Sequence, residues 1–248
     1  METKIKYLIS SLLIISTLFL AGCNDSNPDK VLSDTDKAEL NKMLVNMDGN
    51  VEILFFKSES GCFSCTKTET LVREIDQLSN KISLKVYDVE KDKEIATKYD
   101  IELVPAIVVV GKENYGLKHY GFPGGKEFNP LFEAMIYSSM SRPQATEEIT
   151  KKLNTIENPV EVKVFVTSTC PSCPDMVRIA DMYSIVSDKI STVVIMSNEF
   201  EDYSKNYKIT AVPTTVINEN FRKEGLMDEE SFINYVVVSS WKSESENM

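Results

Sequence analysis

The chain reads as an α/β protein made of two similar units in tandem, each a central mixed β-sheet flanked by helices, and three observations lead there. Shifting the 248-residue sequence by 108 positions lays Cys62 on Cys170, Cys65 on Cys173 and Val104-Pro105 on Val212-Pro213. In the same register Lys98-Tyr99-Asp100-Ile101 falls on Asn206-Tyr207-Lys208-Ile209, and Ile107-Val108-Val109 on Thr215-Val216-Ile217. Within each unit, short β-favouring runs alternate with segments of helical period. Hydrophobic content of 42% with 26% charged residues suits a chain that buries cores, and the length suits two small domains. A net charge of −11, spread along the chain, argues against a nucleic-acid partner and against attraction to anionic lipid head groups.

Asp34 to Met47 places Leu40, Met43, Leu44 and Met47 at helical spacing, with Asp36 and Glu39 suited to the first turn. A strand over Val51 to Phe56, a helix from about Cys65 to Leu78 and a strand over Ile82 to Val86 follow. A short helix near Lys93 to Tyr99 leads into strands over Ala106 to Val110 and Leu117 to Tyr120, then a closing helix over Phe128 to Met140. Arg142-Pro143-Gln144 breaks the helical pattern within Ser141 to Ala145, because proline restricts the residue before it. So short a connector predicts little independent motion and allows the two sheets to align into one layered body. The second unit repeats the order: helix Thr146 to Ile156, strand Val160 to Val166, helix Pro174 to Val186, strand Thr192 to Met196. A short helix near Tyr203, strands over Thr214 to Asn218 and near Phe221, and a helix over Asp228 to Val238 complete it. The domains are therefore residues 34–141 and 146–242.

Residues 1–22 are a separate object. Lys4 and Lys6 precede an apolar run from Leu8 to Leu20, and Leu20-Ala21-Gly22-Cys23 closes it with small residues before a cysteine. The pattern reads as an export signal too short for a confident membrane span. Its last four residues resemble the lipobox of bacterial lipoproteins, which implies cleavage before Cys23 and lipid attachment there; a plain secretory signal or an uncleaved anchor is the alternative. Residues 23–33, polar and rich in Asp, Asn and Ser, would be the tether. Lipid on Cys23 would hold the protein at the extracytoplasmic face of a bacterial membrane.

Of the five cysteines, four then remain, all in Cys62-Phe63-Ser64-Cys65 and Cys170-Pro171-Ser172-Cys173. Each pair follows an apolar β-favouring run and opens a helix, where unpaired amide N–H groups and the helix dipole favour an anion. A thiolate is the attacking species in disulfide exchange, so this placement points to redox work. A static staple gains little from closing so short a loop. A zinc site built from both pairs would require them to converge although 104 residues separate Cys65 from Cys170. No metal is assigned, and the single histidine, His119, reads as an ordinary surface or strand residue.

The order of strand, Cys-x-x-Cys helix, strand, helix, proline-led strand, strand and helix is similar to the thioredoxin fold. Two copies in one chain resemble the glutaredoxin-like tandem protein disulfide oxidoreductases of archaea and bacteria, over roughly Thr35 to Val238. The stretches that carry the resemblance are 165–174 (FVTSTCPSCP), 211–218 (AVPTTVIN) and 120–128 (YGFPGGKEF). It implies that Cys170 attacks a substrate disulfide and Cys173 resolves the mixed disulfide, with Cys62 and Cys65 in the same parts. It also implies cis peptide bonds before Pro105 and Pro213, 43 residues after Cys62 and Cys170, leaving the backbone of Val104 and Val212 to pair with an extended substrate. No cofactor beyond the cysteines is implied.

The sequence departs from thioredoxin proper in two ways. Gly61 and Thr169, not tryptophan, precede the cysteines, and Phe56 and Val164 stand where the buried acid belongs. Glu52 and Glu161 occupy matching strand positions and could supply that acid if they point inward. The polar loop Lys57 to Gly61 carries an extra residue in the first unit, which favours Cys170 as the more effective nucleophile. The expected partners are protein thiols and disulfides, a membrane or extracytoplasmic redox partner, and the membrane surface through Cys23. A lipid-anchored binding or chaperone module with structural disulfides is the alternative.

Overall fold

The computed structural model describes residues 30–143 and 145–242. The signal segment, Cys23 and residues 23–29 of the tether lie outside the described residues. The elements are α1 (Asp34–Leu44), β1 (Val51–Lys57), α2 (Cys65–Asp76), β2 (Ile82–Asp88), α3 (Lys93–Lys98), β3 (Ala106–Val110), β4 (Leu117–Tyr120) and α4 (Phe128–Ser139). After the connector come α5 (Glu147–Asn154), β5 (Val160–Val166), α6 (Cys173–Val186), β6 (Ile190–Met196), α7 (Glu201–Asn206), β7 (Thr214–Ile217), β8 (Phe221–Glu224) and α8 (Glu229–Lys242). A 3-10 turn, Gly125–Glu127, leads into α4.

Each unit holds its first helix by local chemistry. Ser33 and Asp36 form a reciprocal capping box at α1, and Thr146 caps α5 by accepting the Ile149 N–H. Glu74 of α2 accepts the N–H groups of Val31 and Leu32, each at 2.9 Å, and Lys37 Nζ at 2.8 Å. Burial pushes that carboxyl up, but the hydrogen bonds outweigh it and hold the group below the ordinary glutamate range.

The two sheets are one. Eight strands run in the order β2-β1-β3-β4-β6-β5-β7-β8, and the joint pairs β4 with β6 in parallel, Leu117 opposite Thr192 through Tyr120 opposite Ile195. Following the pairings across the sheet, β1, β2, β4, β5 and β6 all point the same way, with β3 and β7 against them. One face carries two cores: α1, α2 and α4 over the first unit, α5, α6 and α8 over the second. Ile185 of α6 belongs to the first unit's core. The opposite face carries a single core that crosses the joint, from Leu54, Phe56 and Val108 to Phe165, Val193, Ile195 and Val216, under α3 and α7.

Several elements differ from the sequence pattern. α1 stops at Leu44, yet Met47 remains buried because the chain turns back onto the same core. β6 begins two residues before Thr192, since Ile190 and Ser191 pair with Val160 and Glu161. α8 runs past Val238 to Lys242, and Trp241 Nε1 donates to the Thr155 carbonyl at 3.1 Å. His119 lies on β4 as a strand residue but not at the surface: it is 3% exposed, under α6. No helix among the described residues is long and apolar enough to cross a membrane.

Candidate active sites

Both cysteine pairs lie at one edge of the sheet, because β1 and β5 are parallel and each loop leaves the C-terminal end of its strand. Four strand spacings separate β1 from β5, about 19 Å along the sheet at ~4.8 Å each. The four cysteines therefore do not converge on one point. Each pair is closed as a disulfide, Cys62 to Cys65 and Cys170 to Cys173, with Cα atoms 5.5 Å apart in both. The second cysteine is the first residue of the following helix, α2 or α6, and is buried. Cys62 is half-buried, whereas Cys170 is only 6% exposed. Phe63 between the first pair is fully exposed.

The proline-led strands bring their first residues to the same places. β3 starts with Ala106 opposite Phe56, and β7 starts with Thr214 opposite Phe165, so Pro105 and Pro213 stand beside the ends of β1 and β5. The Val104–Pro105 and Val212–Pro213 bonds are cis. Gly121 N–H donates to the Pro105 carbonyl and Gly225 N–H to the Pro213 carbonyl, at 2.9 and 2.8 Å. A cavity of about 400 Å³ flanks the second site, lined by Thr167, Ser197, Asn198, Ala211 and Val212 among others.

Glu52 and Glu161 are not brought to the thiols. Both sit near the strand starts, at the far ends from the cysteines, and are held by lysines: Glu52 by Lys85 at 2.6 Å, Glu161 by Lys163 and by Lys118. A buried acid packed on the helix of the second site is Glu127, which lies in the stretch 120–128 but to which the sequence pattern gave no role. It ends the 3-10 turn packed on α6, one residue after Lys126, whose N–H donates to the Ser168 carbonyl at 3.1 Å. Glu127 is buried, neither carboxyl oxygen has a hydrogen-bond partner among the described residues, and burial pushes its pKa up to about 8, against the pull of Arg178 and with the help of Asp181.

More buried charge lies along the same helix. Arg178 grips Glu133 of α4 with Nε 2.5 Å and Nη2 3.3 Å from its oxygens, and reaches Asp175 at 2.9 Å. Asp181 faces His119 across 3.5 Å, an ion-pair distance without hydrogen-bond geometry, and burial pushes its carboxyl up against the opposing effect of His119. A carboxyl held above the ordinary range can take and return a proton near neutral pH, and Glu127 is packed on the helix that Cys173 opens.

Fold and sites together define a thiol–disulfide oxidoreductase with two dithiol centres on one sheet. The family described as thioredoxin domain matches residues 50–132 and 160–237, more than half of the sequence, and the chain belongs to it. Among curated relatives it is 27% identical over 211 residues to the F component of alkyl hydroperoxide reductase from Staphylococcus aureus, covering 85% of this chain and 39% of that protein. It is 26% identical over 205 residues to a NADH dehydrogenase of Ferdinandcohnia aciditolerans, covering 82% of this chain and 37% of that one. The chain thus spans about two fifths of these relatives. Two solved structures share the fold. The NTD_N/C domain of alkylhydroperoxide reductase AhpF from Enterococcus faecalis superposes with a TM-score of 0.76 at 20% identity, covering 83% of this chain and 99% of that one. A protein disulfide oxidoreductase from Aeropyrum pernix gives 0.75 at 24% identity, covering 85% and 94%.

Proposed function

We propose that the protein exchanges dithiols and disulfides with protein substrates at both centres while held by lipid on Cys23 at the extracytoplasmic face of a bacterial membrane. The observation that carries the exchange reading is the repeated placement of a Cys-x-x-Cys pair at a helix N-terminus beside a proline-led strand. In the reductive direction the Cys62 or Cys170 thiolate attacks a substrate sulfur, and the first substrate sulfur leaves as a thiolate and takes a proton. The Cys65 or Cys173 thiolate then attacks the sulfur of its paired cysteine, releases the second substrate thiol and leaves the pair oxidised. Two electrons have moved to the substrate, and a dithiol donor must return them. Run backwards, the same steps oxidise a substrate; stopped at the mixed disulfide, they isomerise one. The likeness to a component of an alkyl hydroperoxide reductase favours the reductive direction, with a membrane-associated donor as the redox partner. The anchor rests on the run ending Leu20-Ala21-Gly22-Cys23.

Acid-quench thiol trapping on separated membrane and soluble fractions, resolving the two pairs by mass, tests the reading. The expected result is a membrane-bound protein with both pairs mostly as thiols, and mixed disulfides accumulating in Cys173→Ser and Cys65→Ser. Disulfides that resist a mild dithiol would overturn the exchange reading, and recovery in the soluble fraction would overturn the anchor.

A further inference from the structure

Between the two sites lie two loops, one from each unit, and a carboxylate joins them. Glu199 follows β6 in the second unit, and its Oε2 accepts a hydrogen bond from the hydroxyl of Ser64, which lies between Cys62 and Cys65 in the first. Its Oε1 accepts the Phe122 N–H at 3.0 Å. Phe122 is pinned in turn by Lys67 of α2, whose Nζ stands 4.1 Å from its ring centroid. Glu199 itself is fixed by its N–H, which donates to the Met196 carbonyl at 2.9 Å. The approach depends on Gly121, whose φ is +95°. A Cβ there would stand 2.6 Å from Met196 Cβ and 3.2 Å from Glu199 Oε2.

The use of Ser64 is unusual for its position. A serine at a helix N-cap ordinarily accepts an N–H of its own first turn, but Ser64 caps α2 without doing so. Its hydroxyl donates across the unit boundary instead, placing a negative charge at the helix end that otherwise favours the Cys62 thiolate. At the second site the counterpart Ser172 makes no side-chain hydrogen bond among the described residues.

We infer that Glu199 is a positioning residue of the Cys62–Cys65 site, supplied by the second unit. It holds the cysteine loop against the Phe122 loop and opposes the thiolate, making the first pair the more strongly reducing one. The proposal rests on the exchange reading above. The other charges around this site are Lys67 in the first turn of α2, over the Phe122 ring, and Glu59, Glu90 and Lys91 about the loop before Cys62, with Lys57 and Glu69 paired behind it. None of these bridges the two units.

Equilibration of the intact chain with dithiothreitol, and of its Glu199→Gln and Ser64→Ala variants, with each pair resolved by mass, decides the matter. In Glu199→Gln the amide oxygen can still accept the Phe122 N–H while the amide N–H donates to the Ser64 hydroxyl, so the bridge is kept with that contact reversed and the charge is removed. Removing the charge bonded to Ser64 should move the Cys62/Cys65 equilibrium roughly tenfold toward dithiol, about 30 mV for a two-electron couple, and lower the pH at which Cys62 alkylates. Ser64→Ala leaves the carboxylate held only by the Phe122 N–H and no longer tied to the helix end, and should move the same pair the same way, roughly threefold. Cys170/Cys173 should stay within about twofold of the parent in both variants, an internal control for folding. A first pair unchanged, or both pairs moved alike, would overturn the role of Glu199. Failure of the unaltered chain to exchange at either pair would overturn the exchange reading itself.

Discussion

A carboxyl in the place of Glu127 has no hydrogen-bond donor among the described residues to replace water, so folding favours its protonated form. Raising the folded pKa from 4.5 to about 8 has a definite sign. Its contribution is fully present below pH ~4.5, and stability is then lost as pH rises through about 8, at about 1.4 kcal/mol per pH unit within that window. Glu127→Gln keeps the volume and removes the titration. It should unfold at the same urea concentration as the parent at pH ~4.5 and at a higher one at pH ~8.5. Equal midpoints at both values would show that Glu127 is solvated in the folded chain. This carboxyl is packed on the helix that Cys173 opens, whereas the strand position Val164 is apolar. Glu127 comes from a turn of the first unit and packs against the second. Glu199 repeats the logic in the opposite direction, the second unit serving the first.

Most elements were legible because their period and their ends were both written locally. β1, β3, β4 and β5 alternate or run apolar between turn residues, α2 and α6 begin at their cysteine pairs, and the 108-residue register predicts two units of one plan. What was not legible depends on the neighbouring unit. Ile190 and Ser191 become strand through their partners on β5, His119 is buried by α6, and Glu127 and Glu199 acquire roles only where the units meet. A one-unit pattern carries no information about such contacts. Gly121 shows the consequence at the level of the element. Alanine there must hold a positive φ and also push Met196 away from the end of β4, which should cost about 2–4 kcal/mol. Gly61 also has positive φ, at +72°, but a Cβ would meet nothing within 4 Å, so Gly61→Ala should cost only about 1–2 kcal/mol. Urea midpoints of the two variants separate the contributions; equal losses would mean that the contact with Met196 relaxes freely.

The joint between units is a shared body, not a tether, and this bears on how the whole chain unfolds. β4 and β6 pair in the middle of the sheet, the opposite-face core runs from Leu54 to Val216 without a break, Ile185 of α6 completes the first unit's front core, and Arg178 clasps Glu133 between α6 and α4. Removing the second unit would bare the β4 edge and Val108 and leave the buried Glu133 without its cation, and removing the first would bare the β6 edge with Val193 and Ile195. The expected result is therefore one cooperative transition for both units. The single tryptophan, Trp241, belongs to α8 and reports on the second unit alone, whereas far-ultraviolet circular dichroism reports on both. In urea the two signals should lose half their amplitude at the same concentration, with an m-value appropriate to the surface of the whole folded body. Two separated transitions, tryptophan following only one, would mean that the β4–β6 joint is weaker than its geometry. The spacing of about 19 Å between the sites would then belong to two bodies able to move apart, not to one rigid edge.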